Sequence, residues 1–351
     1  MRCALVEYNH YHEETLPTFV RLLNELGIEP DVYLTPRSLR RSVFGAAPTL
    51  RFRSMSADAV DRLGGLAFRA RRYDIVIVNS MEPIANTRRV AATIGPMIGV
   101  MHNAELLSSE PAYGKFFERP RRIAIVLAQH IARHLAGSGP ALRVVADVYF
   151  GEVSRERRSG PTTFAVCGNT EFSRRNYDAL LEAASELDAG GVPIRIRLVG
   201  RSTTRDGKSL RGEIARRGLD GIFELSDHEI MHPEFFQLVA DAEFILPLID
   251  RTAERMQPYF ETKLTSSVPL AIGLGVPLVW HRDLAATFGL TACGVEYADG
   301  GLAAAMRTAI ASAEFERQAW QTTLESARAA LLQVSLENLR DAIAAAREPG
   351  G

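Results

Sequence analysis

The stretch TTFAVCGNTEFSRRNYDALLEAASELDAGGVPIRIRLVGR, Thr162–Arg201, decides the fold. TTFAVCGN is an apolar run that stops at Gly168, which suits a buried strand. NYDALLEAASEL reads as a helix, and IRIRLVGR as a second strand. A strand, a turn, a helix and another strand in about 40 residues is the repeating unit of a parallel sheet covered by helices. The same alternation continues downstream. SLRGEIARRGL, PEFFQLVADA, SSVPLAIGLG and DLAATFG read as helices, and GIFELSD, EFILPLI, VPLVWH and ACGVEY as strands. GLAAAMRTAIASA and the Ala-rich stretch from Phe315 to Arg347 finish the chain as helices.

Upstream the pattern is equally regular. CALVEYN is a strand. Leu16, Phe19, Val20, Leu23 and Leu26 then recur at helical spacing, with Pro17 in a first turn and Gly27 as a stop. PDVYLT, YDIVIVNS and PMIGVMHN are further strands, an Arg-rich, Pro-bearing stretch lies after the first of these, and helices are expected from Ser56 to about Arg72 and over IANTRRVAATIG. RRIAIVLAQHIARHLAG carries more regular structure up to Gly137, and RVVADVYF closes the series. The polar, turn-rich GEVSRERRSGP, residues 151–161, marks a boundary. The expectation is therefore an α/β protein of two doubly wound, Rossmann-like parallel-sheet domains. Residues 1–155 form the first and 162–335 the second, with a terminal helix at 336–351 returning to the first. In such sheets ligands bind beyond the carboxyl ends of strands, so the loops after each strand are the places to look.

The chain has 351 residues, 46% of them hydrophobic and 24% charged, an ordinary balance for two packed cores. No run of about 18 apolar residues is present to span a bilayer, and the opening MRCALVEYNHYHEE turns polar too early for a signal peptide. A cytoplasmic protein is expected. Cys3, Cys167 and Cys293 are odd in number and far apart, which fits buried thiols rather than a disulfide framework or a metal cluster. The net charge of −1 conceals an asymmetry: residues 1–150 hold 19 Lys and Arg against 14 Asp and Glu, and the rest hold 22 against 28. The clusters Arg37, Arg40, Arg41, Arg51 and Arg53, then Arg69, Arg71 and Arg72, then Arg119, Arg121 and Arg122 make a basic face. Such a face suits solvent, peripheral contact with anionic lipid, or a phosphate-bearing substrate. No aromatic-plus-basic motif points to nucleic acid.

On these residues the second half resembles the donor half of GT-B glycosyltransferases, closest to the retaining family 4 group, over residues 163–310. The first half matches in layout. The resemblance implies a nucleoside diphosphate sugar, of UDP or GDP type, as co-substrate with no other cofactor and no metal. It implies two domains with a cleft between them, and transfer to a hydroxyl of a glycan or lipid-linked saccharide, as in polysaccharide biosynthesis. Gly168, Asn169 and either Arg174 or Arg175 match the family's first diphosphate-binding turn, where the family carries Arg at the position of Asn169. Arg201 ends the strand whose family counterpart closes on Val-Gly. YFETKLTSSVPLAIGLGVPLV, Tyr259–Val279, matches the segment that runs from a catalytic-region Glu to a Gly-x-Pro strand start. There Lys263, Thr265, Ser266 and Ser267 would hold the diphosphate at a helix N-terminus. The family's two Glu residues eight apart fall at Thr262 and Leu270, so Glu261 is one residue off and the ribose-holding second Glu is missing. His102 matches the family's active-site His. His12 and Glu13, in the loop HYHEE, take the acceptor side.

Residues 228–232, HEIMH, fit the zinc-protease pattern H-E-x-x-H, which works only on a helix. Pro233 follows directly, and the residue before proline is pushed out of the α region, so the motif is read as a loop with a helix starting at Pro233. Asp241 and Glu243 read as a solvated junction. The rival functions are a non-catalytic nucleotide- or glycan-binding protein of the same shape, a nucleotide-sugar epimerase, and a zinc hydrolase.

Overall fold

The computed structural model describes residues 1–9, 11–41, 43–44, 51–54 (backbone), 73–84, 95–137, 139–155, 160–252 and 254–348. The helices expected at 56–72 and over IANTRRVAATIG lie outside these residues or almost so, as do Arg69, Arg71, Arg72 and His10.

The chain forms two compact units. The first is Met1–Gly151 with Glu261–Leu264 and Ala330–Gly351, and the second is Glu152–Phe260 with Thr265–Ala329. Among the described residues of both units, the first unit's sheet has seven strands in the order β3-β2-β1-β4-β5-β6-β7. In chain order these are β1 (Cys3–Val6), β2 (Pro30–Leu34), β3 (Arg51–Ser54), β4 (Ile75–Val78), β5 (Met97–Met101), β6 (Arg122–Val126) and β7 (Leu142–Val144). The second unit's sheet has six, ordered β10-β9-β8-β11-β12-β13. These are β8 (Thr162–Cys167), β9 (Ile194–Arg201), β10 (Phe223–Ser226), β11 (Phe244–Ile245), β12 (Leu278–His281) and β13 (Gly294–Tyr297). Every pairing within the two sheets is parallel.

Burial explains why these runs are strands. β1, β2, β4 and β5 are buried at every position, the pattern of strands covered on both faces. The helix Leu16–Glu25 presents Leu16, Phe19, Leu22 and Leu23, all fully buried, which stabilises by about 1.5–3 kcal/mol per side chain. In the second unit Phe164 and Val166 of β8 pack with Tyr177, Leu180, Leu181 and Leu187 of the helix Tyr177–Ala189. That helix is capped by Asn176, whose side chain accepts the Ala179 N–H at 3.1 Å. All three cysteines are free and buried.

Four sequence expectations need correction. The Arg-rich stretch after β2 holds a helix, Pro36–Arg41, and an edge strand, β3, where neither was expected. Its apolar content is too low to signal a strand, and pairing with β2 supplies what the sequence pattern lacks. EFILPLI contributes only two residues of strand. Asp241 is buried rather than solvated, and accepts the Gln237 amide at 2.7 Å. Arg41 is not free on a basic face: it pairs with the fully buried Glu13 at 2.7 Å.

Candidate functional site

Each sheet reverses its strand order once, at β1/β4 in the first unit and at β8/β11 in the second. Helices on either side of such a point diverge and leave the strand ends open to a ligand. Polar residues gather at both points.

In the first unit the chain leaves β1 at Glu7, which is fully buried. Its Oε2 accepts the Asn79 side-chain amide at 2.6 Å and the Ser80 hydroxyl at 2.7 Å, and its Oε1 accepts the Asn9 N–H at 2.7 Å. Burial pushes the carboxyl up to about 7 despite these bonds. Beyond β5, His102 lies parallel to His12 with ring centroids 3.7 Å apart. The His102 Nε2 meets the Asn79 carbonyl at 2.7 Å, which makes it the protonated nitrogen of a neutral ring. Burial, with the neighbouring His12 charge, holds His102 well below the ordinary histidine range. His12 goes the other way. Burial opposes its cation, but Glu14, Glu7 and Glu82 together outweigh that and raise its pKa. One ring of the stack is thus built to carry charge and the other to stay neutral, because two cations at that separation would repel. Asp147 accepts the Thr18 hydroxyl at 2.9 Å on one oxygen and is held well above the carboxylate range by burial and by Glu14.

The segment Glu261–Leu264 packs with this same unit. Lys263 pairs with Asn103 in an antiparallel bridge, and the Ala104 N–H donates to the Thr262 carbonyl at 3.1 Å. His130 approaches the Lys263 carbonyl at 3.4 Å, and burial lowers its pKa to about 4. Glu261, the last residue of the short helix Pro258–Glu261, is half-buried.

In the second unit the turn after β8 carries Gly168 at φ +96°, in the left-handed region that favours glycine. The buried Arg175 lies against it. Its guanidinium donates to the Cys167 carbonyl and, at 3.4 Å, to that of Asn169, so it braces the turn from within. Arg174 points to solvent and pairs with Glu171 at 2.6 Å. The Asn169 side chain accepts the Arg201 N–H at 3.3 Å, which ties the ends of β8 and β9, and the Arg201 side chain is exposed. Across the switch point, buried Asp250 accepts the Asn176 amide at 2.9 Å and the Thr252 N–H at 3.0 Å. Thr265 is buried and its hydroxyl accepts the Ser267 N–H at 3.4 Å, while Ser266 is exposed. Ser267 opens the helix Ser267–Leu274 with its hydroxyl buried and without a hydrogen-bond partner among the described residues.

The expected site residues therefore fall in two groups. His12, Glu13, His102, Glu261 and Lys263 belong to the first unit, and Gly168, Asn169, Arg174, Arg175, Arg201, Thr265, Ser266 and Ser267 to the second. Glu7, Asn79, Glu82, Asp147 and Asp250 were missed by sequence reasoning. Each follows a strand by one to five residues, and that position was the available signal. HEIMH does not form a two-histidine helix face. His228 lies in a bend, and the helix begins at His232 with Pro233 in its first turn.

No protein-family model matches the chain, and no curated protein matches it in sequence. Solved structures do match. The Anabaena protein HepE in complex with UDP-glucose superposes with a TM-score of 0.69 at 13% identity, over 97% of this chain and 99% of that one. A glycosyltransferase from Rickettsia africae gives 0.65 at 11% identity, over 98% of both chains. S. aureus MnaA with UDP gives 0.56 at 14%, over 92% and 91%. The chain has the two-domain α/β GT-B fold of these proteins.

Proposed function

We propose that the chain is a glycosyltransferase that moves a sugar from a nucleoside diphosphate sugar to a hydroxyl of a glycan or lipid-linked saccharide. The observation that carries this reading is the pair of polar clusters at the two strand-order reversals of a GT-B fold. HepE and MnaA hold UDP, and HepE also holds UDP-glucose, so a uridine donor is the first to test.

In this reading the second unit binds the diphosphate. Gly168 lets the turn's backbone approach the phosphates, and the helix start at Ser267 offers a hydroxyl without a hydrogen-bond partner among the described residues. Lys263, on the first unit's segment Glu261–Leu264, is assigned the charge that neutralises the leaving diphosphate without a metal. Arg174 and Arg201 can swing toward the donor, whereas Arg175 acts through the turn that it braces. The first unit supplies the acceptor side through His12 and Glu13, with His102 and Glu261 beside the donor sugar and retention at the anomeric carbon. The same reading includes contact of Arg37 and Arg40 with anionic lipid headgroups, to be measured as salt-sensitive liposome binding.

A panel of nucleoside diphosphates and their sugars tests the reading by thermal shift. Ligand at 100 times its dissociation constant stabilises by about 2.7 kcal/mol. UDP should stabilise wild type but much less Arg174→Ala and Lys263→Ala. No shift from any nucleotide at millimolar levels would sink the donor site. A binding-only protein is favoured by one observation, Leu270 standing where a ribose-holding Glu is expected. Nucleotide binding without hydrolysis or transfer of any sugar would establish it.

A further inference from the structure

We propose that Glu82 is the positioning residue of the first unit's site, one carboxylate oxygen fixing the two backbone N–H groups that set His102 and Asn103. β5 ends at Met101, and its register with β6 stops there. The N–H groups of His102 and Asn103 then need another acceptor, because a buried amide left unpaired is costly. Glu82, in the loop after β4, answers both with Oε1, at 3.0 Å and 2.9 Å.

Two consequences follow from that double bond. With its backbone held, His102 places Nε2 on the Asn79 carbonyl and its ring face on His12. With its backbone held, Asn103 bridges Lys263, and the next N–H takes the Thr262 carbonyl. The imidazole pair and the segment bearing Glu261 and Lys263 thus hang on one side chain. The other oxygen, Oε2, is buried and has no hydrogen-bond partner among the described residues. Burial raises the Glu82 pKa, and a proton on Oε2 leaves Oε1 free to accept. The work requires the geometry of an accepting oxygen rather than a charge. The titratable groups that meet it are His12 and His102, and Glu7, Glu14 and Asp147 act in turn on His12.

The assignment rests on the proposed function for its catalytic meaning, but its structural content is testable without turnover. The full chain, which has eight histidines, is labelled with ¹⁵N-histidine, and the His102 ring is followed from about pH 5 to pH 8. Wild type should show a neutral Nε2–H tautomer that does not titrate. Glu82→Gln keeps the accepting oxygen and should give the same spectrum. Glu82→Ala and the shorter Glu82→Asp, which cannot span to both N–H groups, should release His102 to titrate. Hydrolysis of UDP-glucose should stay within about threefold in Glu82→Gln and fall by about 10²-fold in the other two, with stabilisation by UDP unchanged. A wild-type His102 spectrum in Glu82→Asp, or damage by Glu82→Gln equal to that by Glu82→Ala, overturns the proposal. If Glu82→Ala does not fold, the Asp and Gln variants decide it. If UDP stabilises none of the proteins, the uridine-donor reading falls, and the histidine spectrum still decides the positioning.

Discussion

Glu7 is a carboxyl with no exposed surface whose three hydrogen bonds do not fully offset its burial. Its pKa rises from 4.5 to about 7 on folding, so the folded protein binds this proton more tightly than the unfolded chain does. Stability therefore falls as pH rises from about 4.5 to about 7 and is flat above that, by an amount on the order of a few kcal/mol. His12, also raised, continues the fall above its ordinary value. His102 and His130, both lowered, work in the opposite sense, favouring the fold as pH rises toward 6.5. The wild-type profile mixes these terms, so the informative quantity is a difference. Glu7→Gln loses an acceptor toward Asn79 or Ser80 at every pH, a constant offset. Against that offset, urea unfolding should show the variant gaining on wild type between about pH 5 and pH 7, with no further gain above. A difference that does not vary with pH would show that Glu7 is ionised throughout.

At the scale of elements, what could be read from sequence was what periodicity and apolar runs encode. YDIVIVNS and PMIGVMHN are strands because their residues suit a sheet buried on both faces, and the helix Ser267–Leu274 ends where Gly275 adopts φ +67°. His102 was singled out because PMIGVMHN resembles a family strand, and the structure places it directly after β5. The orientation of side chains in the loops was not. Arg174 and Arg175 are adjacent and chemically identical, yet one lies in solvent and the other under Gly168. Only the path of the turn against β9 separates them. That path is narrow: a Cβ on Gly200 would lie 2.2 Å from the Gly168 carbonyl oxygen, so no side chain can stand there without moving the turn. β3 was illegible for a related reason, since RFRS has no apolar run and owes its strand to pairing with β2. The return of Glu261–Leu264 to the first unit depends on backbone bonds to Asn103 and Ala104, which carry no side-chain signature.

For the whole molecule, the last long helix, Glu314–Arg347, belongs in part to each unit. Residues up to Ala329 pack with the second and those from Ala330 with the first. Trp320 lies against Phe244 with ring centroids 6.1 Å apart, and Arg328 donates to the Gly273 carbonyl at 2.9 Å. The later turns serve the chain just beyond β7. The Ser335 hydroxyl accepts the Ala146 N–H at 2.9 Å, and the Asn338 amide donates to the Val144 carbonyl at 2.9 Å. Leu339, Ala342, Ile343 and Ala346 are buried on the same stretch. Ala146 adjoins Asp147, whose carboxyl is hydrogen-bonded to Thr18 in the first helix, so the helix's end supports the backbone beside the first unit's polar cluster. Truncation after Ala329 should therefore loosen the first unit while leaving the second intact. Hydrogen exchange makes the distinction: the Ala146 amide should lose protection, and so should the helix Leu16–Glu25, whereas β8 and β9 should keep theirs. Ser335→Ala isolates one bond, leaves Ala146 without its acceptor, and should cost about 1–3 kcal/mol of first-unit stability. Unchanged protection at Ala146 in the truncated chain would mean that the first unit completes its own fold and the helix only covers it.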